Sequence, residues 1–137
     1  MQINKDVTVT VVTVAYNSEK TIGDTITSVL QQTVLPNEYI IVDGKSIDKT
    51  VEIAKSFELL FHEQGVNYIV ISECDEGIYD AMNKGIKLAK GELVGEINSD
   101  DQYINTTIEL VKEEYRKNSF DYCYGEMLVV INNGQKI

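Results

Sequence analysis

The stretch VTVTVVTVA, residues 7–15, decides how the rest of the chain reads. It is β-branched almost throughout, so it reads as a strand, and its valines fall on both alternating phases. An apolar residue on each face means burial on each face, as in the centre of a parallel sheet covered by helices. Parallel neighbours need long crossovers, so the sequence that follows should alternate helix and strand.

It does. SEKTIGDTITSVLQQ (18–32) sets Ile22, Ile26, Val29 and Leu30 on one helical face, and EYIIVDG (38–44) reads as a second strand. DKTVEIAKSFELL (48–60) is a helix with Ile53, Ala54, Phe57 and Leu60 inward and Ser46 or Asp48 as its cap. NYIVISE (67–73) is the third strand. YDAMNKGIKLAKG (79–91) is a helix with Met82, Ile86 and Ala89 inward, closed by Gly91. LVGEIN (93–98) is the fourth strand, and NTTIELVKEEYRKN (105–118) a helix with Ile104, Ile108, Val111 and Tyr115 inward and Thr106 with Glu109 as a capping box. DYCYGEMLVVI (121–131) is a last strand, followed by NNGQKI. Strands alternating with helices imply an α/β fold with right-handed crossovers. No internal repeat or linker interrupts it, so residues 1–137 read as one domain.

Composition narrows the partners. A formal net charge of −10 argues against nucleic acid, whose phosphates need a basic face. Cys74 and Cys123 are too far apart for a C-x-x-C metal or redox site, and reduced thiols fit a cytoplasmic protein. There is no signal segment and no run long enough to cross a bilayer, a pattern compatible with peripheral membrane attachment. Neither G-x-G-x-x-G nor G-x-x-x-x-G-K-[ST] occurs. The lone His62 falls in a loop on the rim away from the strand ends, so no Ser-His-Asp or Cys-His arrangement can assemble.

Ligands of such sheets bind beyond the carboxyl ends of the strands. Tyr16 and Asn17 follow the first strand, Asp43 ends the second, Asp75 follows the third, and Asp100 and Asp101 follow the fourth. Adjacent carboxylates after an apolar strand are costly unless something meets them. Two readings stand side by side: NSDD (98–101) is a solvated, helix-capping loop, or it is an oxygen site for Mg²⁺ or Mn²⁺.

Three segments, TVAYNSEKTIGDTITSVLQQT (13–33), IIVDGKSIDKT (40–50) and SECDEGIYDAMNKGIKLAKGELVGEINSDD (72–101), resemble successive signatures of family 2 glycosyltransferases with the GT-A fold. The GIYDAMNKGI portion resembles bacterial enzymes that build surface polysaccharides. The resemblance implies a GT-A, Rossmann-like, mostly parallel sheet flanked by helices, carrying the nucleotide-sugar-binding part of an inverting transferase. A UDP-sugar is the favoured donor, and a saccharide or lipid-linked molecule the acceptor. It implies that Ala15 and Tyr16 line the nucleoside pocket and that Asp43 hydrogen-bonds the base. It further implies that Asp101 holds Mg²⁺ or Mn²⁺, while Asp100 contacts the ribose or the metal's water shell. Asp75, Asp80, Asn83 and Lys84 belong to the stretch beside the donor site.

The chain departs from the pattern at three positions. Gly44 stands where many members have a second aspartate, Glu96 replaces an apolar strand residue, and Asn105 replaces a frequent proline. The family's acidic catalytic base is expected after the fifth strand, yet the last acidic residue is Glu126, so no catalytic residue is assigned and residues 1–137 alone are expected to transfer sugar poorly. A nonenzymatic nucleotide-binding module of the same fold is the alternative. A doubly wound signalling receiver would need acids directly after the first strand, where this chain has AYNS.

Overall fold

The computed structural model describes residues 6–121 and residue 123. Four strands, β1 (Val9–Ala15), β2 (Glu38–Asp43), β3 (Asn67–Ser72) and β4 (Leu93–Asn98), form one parallel sheet in the order β3-β2-β1-β4. β1 is hydrogen-bonded on both edges and every one of its residues is buried, as its two apolar phases require.

The strand order dictates where the helices go. From β1 to β2 to β3 the chain steps in one direction, through α1 (Ile22–Leu30), then α2 (Thr50–Ser56) and α3 (Glu58–Glu63). It then jumps back past β1 to β4 through α4 (Ile78–Leu88), and α5 (Thr107–Asn118) follows. Right-handed crossovers in opposite directions lie on opposite faces. Accordingly α1, α2, α3 and α5 pack on the face of Val9, Val11, Tyr39 and Ile41, whereas α4 covers that of Val12, Val14, Ile40 and Val42. Burying each such Val or Ile contributes about 1.5–3 kcal/mol.

Several sequence expectations shift in phase. The expected helix 18–32 begins at Ile22, because residues 18–21 form a turn in which Ser18 O accepts from the Thr21 and Ile22 amides. The helix expected over 48–60 is two helices. Phe57 N–H bonds back to Ala54 O, tightening the turn, and the rephased second helix buries Phe61 rather than Leu60. Phe61 stacks on Tyr68 with ring centroids 4.7 Å apart, and both rings meet Tyr39. Asp48, not Ser46, serves the start of α2, its Oδ1 accepting from Thr50 N–H at 2.9 Å.

In α4 the small residues Ala81 and Gly85 are the most deeply buried, Met82 and Ala89 pack against the same core as the apolar spacing suggested, and of the residues expected inward only Ile86 is left exposed. The helix sits so near the sheet that a Cβ at position 85 would collide with the Val12 side chain. Nor does Gly91 close this helix, which ends at Leu88. It passes so near β1 that a Cβ there would lie 2.6 Å from Thr10 N, and its own N–H donates to Thr10 Oγ1.

The capping box at α5 is absent. Thr106 makes no side-chain cap bond, and Glu109 accepts from Thr33 Oγ1 instead. Gln32, just past the end of α1, does the capping, accepting Ile108 N–H and donating to Ile104 O. Ile104 is exposed, while Ile108 is buried and Val111 and Tyr115 are half-buried. Glu96 lies exposed on β4, one of the two edge strands among the described residues. Of the strand expected over 121–131, Asp121 and Cys123 are not in a strand and the remaining residues lie outside the described ones.

The tight α4–β1 approach yields a prediction. Gly85→Val should destabilise the fold by about 1–3 kcal/mol in urea unfolding, and adding Val12→Ala should recover part of the loss. Equal stability of the single variant and wild type would show that α4 does not sit on Val12.

Candidate functional site

All four strands end at one rim, and there a cleft of about 1020 Å³ opens. Ala15, Tyr16, Ser18, Gly44, Asp75 and Asp100 are among its lining residues. The cleft lies across the point where the strand order reverses, the place where open α/β sheets bind ligands.

The loops that surround it are laced together by their own polar groups. After β1 the chain turns sharply at Asn17, and after β2 at Lys45, both with positive φ. Asn17 N–H donates to Ser46 Oγ at 2.7 Å, and Asn17 Oδ1 accepts Ile47 N–H at 3.0 Å. Ser18 N–H donates to Thr50 Oγ1, whose hydroxyl donates to Asp48. Ser18 Oγ in turn meets Ser99 Oγ at 2.7 Å, so the β1 loop is tied to NSDD as well. From the other side α1 and the residues just after it grip that segment: Thr25 Oγ1 donates to Asp101 O, Ser28 Oγ accepts Tyr103 N–H, and Gln32 holds Ile104 O.

These contacts sort the residues singled out from the sequence. Ala15, Tyr16, Asp75 and Asp100 line the cleft together, and Tyr16 is exposed there. Asp43 lies beneath it with no exposed surface. Its Oδ2 accepts from Ser46 N–H at 2.9 Å and Ser72 Oγ at 2.8 Å, and its Oδ1 from Ser46 Oγ. Asp80 and Lys84 brace the loop after β3. Asp80 Oδ2 accepts Glu76 N–H, and Lys84 Nζ donates to Cys74 O and pairs with Glu73 at 3.3 Å. Partial desolvation pulls the Lys84 ammonium down, but the Glu73 hydrogen bond and the charges of Glu73, Asp80 and Asp75 outweigh it and raise its pKa. Asn83 is exposed on α4 and is not among the cleft-lining residues.

Asp100 and Asp101 are exposed, and neither carboxylate has a hydrogen-bond or ion-pair partner among the described residues. Neither caps α5, which begins at Thr107, so helix capping does not explain the pair. No group of three or more His, Cys, Asp or Glu side chains able to hold a metal is found among the described residues. One or two carboxylates, with the other positions left to water and ligand oxygens, is the donor set that Mg²⁺ accepts.

Asn17, Ser18, Ser46, Asp48, Thr50 and Ser99 carry the site's architecture; the sequence placed Asn17 and the NSDD segment on the rim and read Ser46 or Asp48 as a cap, but showed none of the bonds between the loops. The signal was the density of Ser, Thr, Asn and Asp directly after β1 and β2, residue types that bond loop backbones.

Asp48 offers a test of the lacing. Desolvation raises its pKa, but hydrogen bonds from the Thr50 hydroxyl and amide and from the Glu19 amide outweigh that and hold it below the usual carboxylate range. A depressed folded pKa gives stability that is present above the unfolded value and lost as pH falls through the folded one. Asp48→Asn should therefore lower the thermal midpoint at pH 7, with the gap to wild type closing below about pH 4. A gap that persists unchanged at pH 2.5 would contradict this account.

With the site in view, the chain can be set beside known proteins. The profile of the family described as Glycosyl transferase family 2 matches residues 10–136. UDP-Glc:alpha-D-GlcNAc-diphosphoundecaprenol beta-1,3-glucosyltransferase WfgD of Escherichia coli is 30% identical over 128 residues, which cover 93% of this chain and 49% of that protein. The uncharacterized glycosyltransferase EpsJ of Bacillus subtilis is 30% identical over 113 residues, 82% of this chain and 32% of EpsJ. The crystal structure of S. aureus TarS 1-349 in complex with UDP-GlcNAc superposes with a TM-score of 0.71 at 26% identity, over 80% of this chain and 31% of that one. This chain thus spans half or less of the length of each protein it matches here. The parallel sheet and its helices are those of the GT-A fold, as the signature segments implied. The chain belongs to glycosyl transferase family 2.

Proposed function

We propose that this chain forms the donor-binding part of an inverting glycosyltransferase, seating a nucleoside-diphosphate sugar, with UDP-sugar favoured, in the cleft at the strand ends. The single observation that carries the reading is the convergence of Tyr16, Asp75 and Asp100 on one cleft inside the segment that matches the family. The UDP-GlcNAc bound by the TarS protein and the UDP-Glc donor in the WfgD description support a UDP-sugar.

In this arrangement Ala15 and Tyr16 border the nucleoside, and Asp100 meets the ribose or the hydration shell of a cation. Asp101, beside it, is the residue to hold Mg²⁺ or Mn²⁺. When bound, such an ion supplies charge neutralisation for the departing nucleoside diphosphate. The protein's own contribution is positional. Thr25, Ser28 and Gln32 fix the backbone that carries both aspartates, and the Ser18–Ser99 contact fixes its distance from the β1 loop. A rigid mount matters because a small misplacement of reacting groups costs much of the rate.

Transfer itself requires an acidic base that removes the acceptor's hydroxyl proton as the oxygen attacks the anomeric carbon in line. No residue between 6 and 121 is assigned that task. The acceptor is a saccharide or a lipid-linked molecule, in keeping with the diphosphoundecaprenol acceptor named for WfgD, and surface polysaccharide synthesis is the setting. A cytoplasmic location, peripheral to the membrane's inner face, suits a lipid-linked acceptor. No helix among the described residues is long and apolar enough to cross a membrane.

Calorimetry tests the reading. UDP should bind more tightly with Mn²⁺ or Mg²⁺ than with chelator, and Asp101→Asn should remove most of that increment, about ten- to hundredfold in affinity. Asp100→Asn should weaken binding both with and without metal. Identical binding with metal and with chelator would take the cation out of the account.

A further inference from the structure

Position 44 and Asp75 compete for the same space at the floor of the cleft. A Cβ built on Gly44 would lie 2.7 Å from Asp75 Oδ2 and 3.3 Å from its Cγ. The Asp75 carboxylate, projecting from the loop after β3, therefore lies over the end of β2, where a side chain at 44 would stand. Its Oδ1 accepts Gly77 N–H at 3.1 Å, while Oδ2 has no hydrogen-bond or ion-pair partner among the described residues, and the residue lines the cleft. Asp43, by contrast, is sealed off from solvent with both oxygens committed to Ser46 and Ser72. A carboxylate in that state has little left to offer a ligand.

Position along the cleft supplies the rest. Asp100 follows β4 and Asp75 follows β3, at opposite edges of the four-strand sheet. With Asp75 leaning over β2, two to three strand spacings, about 10–14 Å, separate its carboxylate from Asp100. A ligand with its diphosphate near Asp100 and Asp101 and its nucleoside along Tyr16 presents its base to Asp75.

We infer that Asp75, through Oδ2, is the acceptor that reads the base, selecting one that offers a ring N–H, such as uracil N3–H, against cytosine. An ionised carboxylate only accepts hydrogen bonds. Facing uracil N3–H it gains a charge-assisted bond, whereas facing cytosine N3 it meets a lone pair, and a polar group left unpaired in a site gives strong discrimination. The inference rests on the nucleotide-binding reading above and assigns to Asp75 the base contact that the family resemblance implied for Asp43.

The test measures UDP, CDP and N3-methyl-UDP binding by calorimetry in saturating Mn²⁺. Wild type should prefer UDP to each of the other two by about tenfold or more. Asp75→Asn, which keeps an oxygen for Gly77, should shrink both preferences towards one. Gly44→Ala should do the same with Asp75 intact, because the new methyl pushes the flexible carboxylate aside without straining a backbone whose φ is not positive. The fold of both variants is checked by their thermal midpoints. Equal wild-type affinity for UDP and N3-methyl-UDP, or full discrimination retained in Asp75→Asn, overturns the inference while leaving nucleotide binding intact. If wild type binds no nucleoside diphosphate at all, the donor-binding reading falls and the inference falls with it.

Discussion

The double-sided pairing of β1 is the constraint on which the rest depends. A strand hydrogen-bonded on both edges and buried on both faces cannot tolerate a polar side chain that lacks a partner. The chain meets this with apolar β-branched residues and two threonines, Thr10 and Thr13, whose hydroxyls bond Glu38 and Tyr39. Because all three of its companions run parallel to it, every strand delivers its carboxyl end to the same rim. Polar residues that are far apart in sequence then become neighbours without any further device. The cleft follows from the topology.

What the topology leaves open, the hydroxyls and amides settle. Ser18 touches the start of α2 and the loop after β4, through Thr50 and Ser99. Gln32 reaches from just beyond α1 to cap α5, and in doing so holds the backbone just past the two aspartates. Each such bond contributes only about 1 kcal/mol net, but leaving a buried partner unmade costs more. The network is therefore better understood as fixing geometry than as a store of stability. Among the described residues no buried side-chain polar atom is left without a partner, which agrees with that view.

Element type was legible because β-branched runs and helical spacing are local properties. Phase was less so. Apolar spacing put Leu60 and Ile86 inward, but the turn at Phe57 rephases the helix that carries Leu60, and the close approach at Gly85 seats α4 on its small residues with Met82 and Ala89 beside them, leaving Ile86 exposed. The rim was legible as well, since Tyr16, Asp75 and Asp100 directly follow stretches that read as parallel strands. Asp43 and Asp75 were both singled out as acids, yet one is enclosed by serines and the other faces the cleft. No local pattern separates these two states, because the difference lies in whether Ser46, Ser72 or Gly44 stands nearby in space. The segments AYNS and GKSIDKT gave a hint of the lacing through their hydroxyl content, though not of which loop each would bind.

The central claim is that the rim of strand ends is where this protein meets a nucleotide. Titration of ¹⁵N-labelled protein with UDP and Mg²⁺, followed by amide chemical shifts, tests it most directly. The account predicts shifts concentrated at Ala15–Ser18, Gly44, Cys74–Gly77 and Asn98–Asp101, with the amides near His62 on the opposite rim unmoved. Shifts gathered instead along the groove between β4 and α5, around Val94, Thr107 and Val111, would contradict it.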